Sequence, residues 1–148
     1  ASGHGGRRSY GTMALAMSRS IPMAATLVAL AAALGGCGEG EVFRTDRPIL
    51  RITLDEYRIV PQNAVVKPGR MKFTVRNAGR LTHNLVIQIA EGPDGKPVDV
   101  PGGRVETMQP GATADPIKLT LAPGTYRLVC TIANHDDLGQ FGELKVRE

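Results

Sequence analysis

The chain has no tryptophan, and among its 148 residues it has only three phenylalanines, three tyrosines, three histidines and two cysteines. With so few large aromatics, a core has to be built mainly from Val, Ile and Leu, which suit pleated β surfaces. Two cysteines cannot staple a multi-bridge disulfide scaffold, and the paired C-x-x-C or H-x-x-x-H spacing of a four-ligand structural zinc site is missing. No apolar run is long enough for a comfortable bilayer span; Ile21 to Leu34 has the length of a signal-peptide core instead. Phosphate-loop chemistry has no Gly-rich motif leading into a helix. Carboxylate-pair chemistry finds no support: Asp136-Asp137 is one loop pair, with no second acid at a suitable spacing.

The amino-terminal third reads differently from the rest. Arg7, Arg8 and Arg19 precede the apolar run, which ends in Leu34-Gly35-Gly36-Cys37. LGGC resembles a bacterial lipobox, in which the signal is cut before the cysteine and the thiol carries lipid. The resemblance implies a removed signal peptide over 1–36, lipidated Cys37 with a short tether over 37–48, and an extracytoplasmic protein held to a bacterial membrane. The tether, GEGEVFRTDRP over 38–48, is Gly-rich and charged with no apolar period. The formal charge of +4 falls to +1 beyond Cys37, where 15 of the 18 basic residues and all 14 acidic residues lie. That near-neutral balance points away from nucleic acid and toward a solvated β surface. If Cys37 carries lipid, Cys130 is the one thiol left; if it does not, a Cys37–Cys130 disulfide is open.

From residue 49 onward the pattern is β. Leu50, Ile52 and Leu54 alternate with Ile49, Arg51 and Thr53, and a two-residue period recurs over 71–76 and 84–89. Further strands are predicted near 58–66, 104–108, 116–121, 125–130 and 141–147. Pro and Gly punctuate them at Pro68-Gly69, Ala78-Gly79, Asp94-Gly95, Pro110-Gly111 and Pro123-Gly124. About eight short strands in roughly a hundred residues, with turns every eight to twelve, predict an all-β fold: a Greek-key antiparallel β-sandwich over 49–148.

The chemistry-bearing residues gather around one loop. Cys130, His135 and Gln140 are each separated by four residues, ahead of a final alternating strand, and His83 opens the strand His83-Asn84-Leu85-Val86-Ile87. Two imidazoles and one thiolate form a trigonal donor set suited to copper, completed in blue-copper sites by a weak axial donor. Nucleophilic Cys-His catalysis would leave the second histidine and the glutamine without a role.

The loop C130-x4-H135-x4-Q140 followed by Phe-Gly-Glu-Leu-Lys-Val, the upstream Thr82-His83-Asn84-Leu85-Val86, and Tyr126-x-x-x-Cys130 after Ala-Pro-Gly-Thr together resemble the cupredoxins, small type 1 blue copper proteins. The resemblance covers about residues 49–148. It implies His83, Cys130 and His135 as equatorial ligands of one copper ion cycling between Cu(II) and Cu(I). Gln140 stands where the family's common form has Met, as in stellacyanin-like members. Asn84 is implied as the residue tying the first-histidine strand to the cysteine loop. Met71 and Met108, the thioethers left after the signal, lie outside the loop.

The expected function is therefore single-electron transfer between redox protein partners at a membrane, by a monomer that is not an enzyme and does not bind nucleic acid. Two other readings stay open: an envelope copper-binding or delivery protein, and a partner-binding accessory domain that shares the fold without a redox role. The carboxylates of Asp136 and Asp137, next to His135, either steer a basic partner or form an ordinary solvated loop.

Overall fold

The computed structural model describes residues 41–148, so the signal sequence, the lipobox and the lipidation site Cys37 lie outside the described residues. Ten strands follow one another: β1 (Val42–Thr45), β2 (Ile49–Asp55), β3 (Arg58–Val60), β4 (Asn63–Val66), β5 (Gly69–Asn77), β6 (His83–Ile89), β7 (Val98–Met108), β8 (Ile117–Leu121), β9 (Gly124–Val129) and β10 (Phe141–Val146). They form a six-stranded sheet in the order β1-β4-β10-β9-β6-β7 and a four-stranded sheet in the order β3-β2-β5-β8. Among the described residues there is no helix.

The two-residue period decides which side chains meet between the sheets. Leu50, Ile52 and Leu54 of β2, with Met71, Phe73 and Val75 of β5, pack from the smaller sheet against Leu85 and Ile87 of β6, Leu128 of β9 and Leu144 of β10. Phe73 is the one phenylalanine in this core, while Phe43 and Phe141 are exposed. Aliphatic side chains thus carry the core, each contributing about 1.5–3 kcal/mol relative to an exposed position.

The sandwich is all-β as expected, with differences in its connections. Three strand pairs are parallel, β1 with β4, β4 with β10 and β2 with β5, so both sheets are mixed rather than purely antiparallel. The stretch 58–66 is two strands, β3 in one sheet and β4 in the other. Pro61, which lacks an N–H, stands between them where a ladder could not continue. Residues 42–45, read from sequence as tether, form edge strand β1. Its side chains are mostly exposed, so the strand has no apolar period for a sequence to reveal. β7 starts six residues earlier than expected, because Pro101, Gly102 and Gly103 and the shifts in its register against β6 break the alternation. Pro101 is tolerated there because β7 is an edge strand.

Candidate metal centre

Strand pairing brings the four candidate ligands to one end of the sandwich. Val129, the last residue of β9, pairs with Val86 of β6 on one side and with Phe141 of β10 on the other. Cys130 therefore leaves β9 beside the start of β6, where His83 stands, and beside the entry to β10, where Gln140 stands. The Cys130 N–H donates to the Gln140 carbonyl at 3.1 Å, closing the base of the loop. Within the loop His135 N–H donates to Ile132 O, and Gln140 N–H to His135 O at 2.9 Å, so His135 is folded back over the cysteine. Gly139 has φ +111°, and a Cβ there would lie 3.0 Å from the Tyr57 carbonyl, so only glycine lets the loop lie this close to the β2–β3 turn.

The donor atoms of His83, Cys130 and His135 all lie within 4.8 Å of one another. Cys130 Sγ is 3.6 Å from His135 Nδ1, and the His83 and His135 rings meet edge to face with centroids 5.2 Å apart. His83, Cys130 and Gln140 are completely buried, whereas His135 is partly exposed.

Three buried polar atoms here have no protein partner: both ring nitrogens of His83, and Gln140 Oε1. Buried polar groups are almost always satisfied, so an orphaned cluster of nitrogens and an oxygen beside a thiol has the character of a coordination shell. The amide's orientation follows from chemistry. Gln140 Nε2 donates to the Asp55 carbonyl at 2.7 Å, and because a carbonyl only accepts, the oxygen must be the end left free. Two nitrogens, one sulfur and one weak amide oxygen fit one copper ion.

Asn84 joins the two halves of the site. Its Nδ2 donates to Thr131 Oγ1 at 2.9 Å, and its Oδ1 accepts from the Thr131 N–H at 2.8 Å, which ties the first residues of β6 to the residue after Cys130. Asn77, buried in β5, holds the neighbouring approach. Its Nδ2 donates to the carbonyls of Leu81 and Met108, and its Oδ1 accepts from Gly79.

Sequence reading passed over two contributors, both in the β2–β3 turn. Tyr57, with φ 55°, sets its ring edge-on against His135 with centroids 5.4 Å apart. Glu56 Oε1 accepts from the N–H groups of Arg80 and Leu81, in the loop that leads into His83. The one sequence signal for the pair was the Asp55-Glu56-Tyr57 turn itself, which carries no metal-ligand spacing. Asp136 and Asp137 make no ion pair among the described residues.

Burial pushes the His83 imidazole below its ordinary value of 6.5, and the neighbouring His135 pushes it further down, against smaller opposing pulls from Glu56, Gln140 and Asp55. A depressed histidine stays neutral when folded, so the unfolded chain binds more protons at and below that ordinary value. The metal-free protein is thus expected to be most stable above about pH 6.5 and to lose stability as pH falls through the lower folded-state value. Urea melts of the metal-free protein from pH 7.5 to 4.5 check this. His83→Gln should flatten the profile, and an equally steep profile in that variant would assign the effect elsewhere.

No protein-family model matches the chain, and no curated protein matches it in sequence. Solved structures do match. The chain is similar to dithionite-reduced auracyanin from the photosynthetic bacterium Roseiflexus castenholzii, at 24% identity and TM-score 0.58, over 70% of this chain and all of that one. It is similar to auracyanin A, a "blue" copper protein from the green thermophilic photosynthetic bacterium Chloroflexus aurantiacus, at 18% identity and TM-score 0.54, over 70% of this chain and 99% of that one. The chain has a cupredoxin fold. The same fold matches part of a multicopper oxidase from Campylobacter jejuni, at 17% identity and TM-score 0.51, over 70% of this chain but 31% of the oxidase. In this cupredoxin fold the cluster of His83, Cys130 and His135 lies where strands β6 and β9 and the loop into β10 converge.

Proposed function

We propose that this protein is a one-electron carrier built on a type 1 copper site, in which His83, Cys130 and His135 would hold the ion and Gln140 Oε1 would be a weaker fourth donor. The observation that carries the reading is the convergence of one thiol and two imidazoles within 4.8 Å, beside a buried amide oxygen with no other partner. Bound there, copper supplies reversible one-electron exchange between Cu(II) and Cu(I).

The chain's own residues supply the rest. Burial of His83, Cys130 and Gln140 keeps water from the donors, and the Asn84–Thr131 and Gln140–Asp55 hydrogen bonds hold the loop against the sheets, so the ligands need little rearrangement when charge changes. His135 alone of the four is partly exposed, which makes its ring the natural route for an electron to a docked partner. Three strong donors and a weak one leave no open position for a substrate, which supports a carrier rather than an oxidase. Reconstitution tests the proposal. One equivalent of Cu(II) should give an intense visible thiolate charge-transfer band that titrates reversibly with one electron, and a colourless protein would overturn it.

The carrier works, in this reading, outside the cytoplasm, anchored by lipid on Cys37 and passing electrons between redox proteins at the membrane. LGGC ahead of Cys37 supports that placement. Cys37→Ser should move the full-length chain expressed in bacteria from the membrane to the soluble fraction; unchanged membrane association would sink the anchor. Asp136 and Asp137, unpaired beside His135, favour a partner with a basic docking face.

A further inference from the structure

Gly79 and Glu56 lie beside His83 in a way the metal site as described does not require. A Cβ built on Gly79 would stand 3.1 Å from His83 Nε2 and 2.5 Å from Glu56 Oε1, so the ring nitrogen and the carboxylate border the same small space, which stays open only because residue 79 is glycine. The carboxylate is anchored there, since its Oε1 accepts from the N–H groups of Arg80 and Leu81. His83 Nε2 is fully buried and makes no hydrogen bond to any protein group, Glu56 included, so the carboxylate faces it across this space rather than touching it.

A histidine that binds metal through one ring nitrogen almost always gives the N–H of the other to a carboxylate, carbonyl or water, which sets its tautomer and raises its donor strength. We infer that Glu56 is the positioning carboxylate of His83: it faces the Nε2 side of the ring, leaves Nδ1 for the metal, and holds the centre's reduction potential down by its negative charge. Glu56 thus has two separable roles. Its oxygen clamps the 79–81 loop, and its charge favours the more positive oxidation state. Gly79 is the residue whose smallness keeps the approach open. The inference rests on the copper reading above.

Glu56→Gln separates the roles, because the amide keeps an acceptor oxygen for Arg80 and Leu81 while losing the charge. In the copper-loaded protein this variant is expected to keep the charge-transfer band and the urea midpoint, and to raise the potential by about 59 mV, a tenfold change in the ratio of Cu(II) to Cu(I) affinity. Gly79→Ala, whose methyl would push the carboxylate aside, should raise the potential in the same direction. In the Zn(II)-loaded wild type, ring nitrogen-15 spectra should show His83 protonated at Nε2, with that signal shifted in Glu56→Gln. A blue wild-type protein whose potential and ring signals are unmoved in Glu56→Gln overturns the role of Glu56 and leaves the copper reading standing. A wild-type protein that takes up no copper overturns both.

Discussion

Cys130→Ala is expected to abolish the visible charge-transfer band completely while leaving the protein folded. The band needs a thiolate bound to Cu(II), and Cys130 supplies the one thiol among the described residues. Its Sγ is fully buried and lies 3.6 Å from His135 Nδ1, and no other described residue offers a thiol to replace it. The substitution removes a single sulfur at the end of the sandwich, beyond the aliphatic cluster around Phe73, Leu50 and Leu128, so its cost to stability is expected to be on the order of 1 kcal/mol. Far-ultraviolet circular dichroism and a urea melt of the metal-free variant check the fold, and an absorption titration with Cu(II) checks the site. A band of undiminished intensity in Cys130→Ala would remove the thiolate, and the type 1 reading with it.

Gln140→Met should raise the reduction potential, by at least a tenfold change in the ratio of Cu(II) to Cu(I) affinity, about 59 mV for one electron. The sign follows from donor chemistry. A harder amide oxygen favours Cu(II), a softer thioether favours Cu(I), and axial identity is a main control on the potential of such sites. The two side chains have similar volume, so the buried pocket should accept the change. The Asp55 carbonyl, however, loses the Nε2–H that reaches it at 2.7 Å, and losing a part-buried hydrogen bond costs about 1 kcal/mol. The variant is thus expected to be less stable and more oxidising at once. Voltammetry of the two proteins decides the matter. An unchanged potential would mean that Gln140 is a structural tie to Asp55 and that its oxygen lies outside the coordination shell.

These two residues also mark how far the sequence can be read. Cys130, His135 and Gln140 sit in one loop, so their spacing alone shows that they are neighbours, and His83 is marked by opening a strand, although that strand is buried on both faces from His83 to Ile87 and no alternation tells which way its side chain points. Glu56 and Tyr57 carry no such mark. Their closeness to the site exists because the β2–β3 turn and the loop into β10 meet at the same end of the sandwich, a relation between segments about eighty residues apart. Edge strand β1 was missed for a related reason. Its backbone pairs with β4, but its side chains face solvent, and hydrophobic periodicity reports only strands that bury a face.

By itself, then, the sequence determined the all-β class, the aliphatic core and the residue types that meet in the copper loop, because alternation, turn chemistry and short loop spacing are local properties of the chain. Tertiary structure alone decided that β2 runs parallel to β5 and β4 parallel to β10, that the free end of Gln140 is its oxygen, and that Glu56 reaches the loop before His83. Each of these depends on which distant segments share a sheet or a corner, and that is set by the packing of two faces against each other rather than by any run of neighbouring residues.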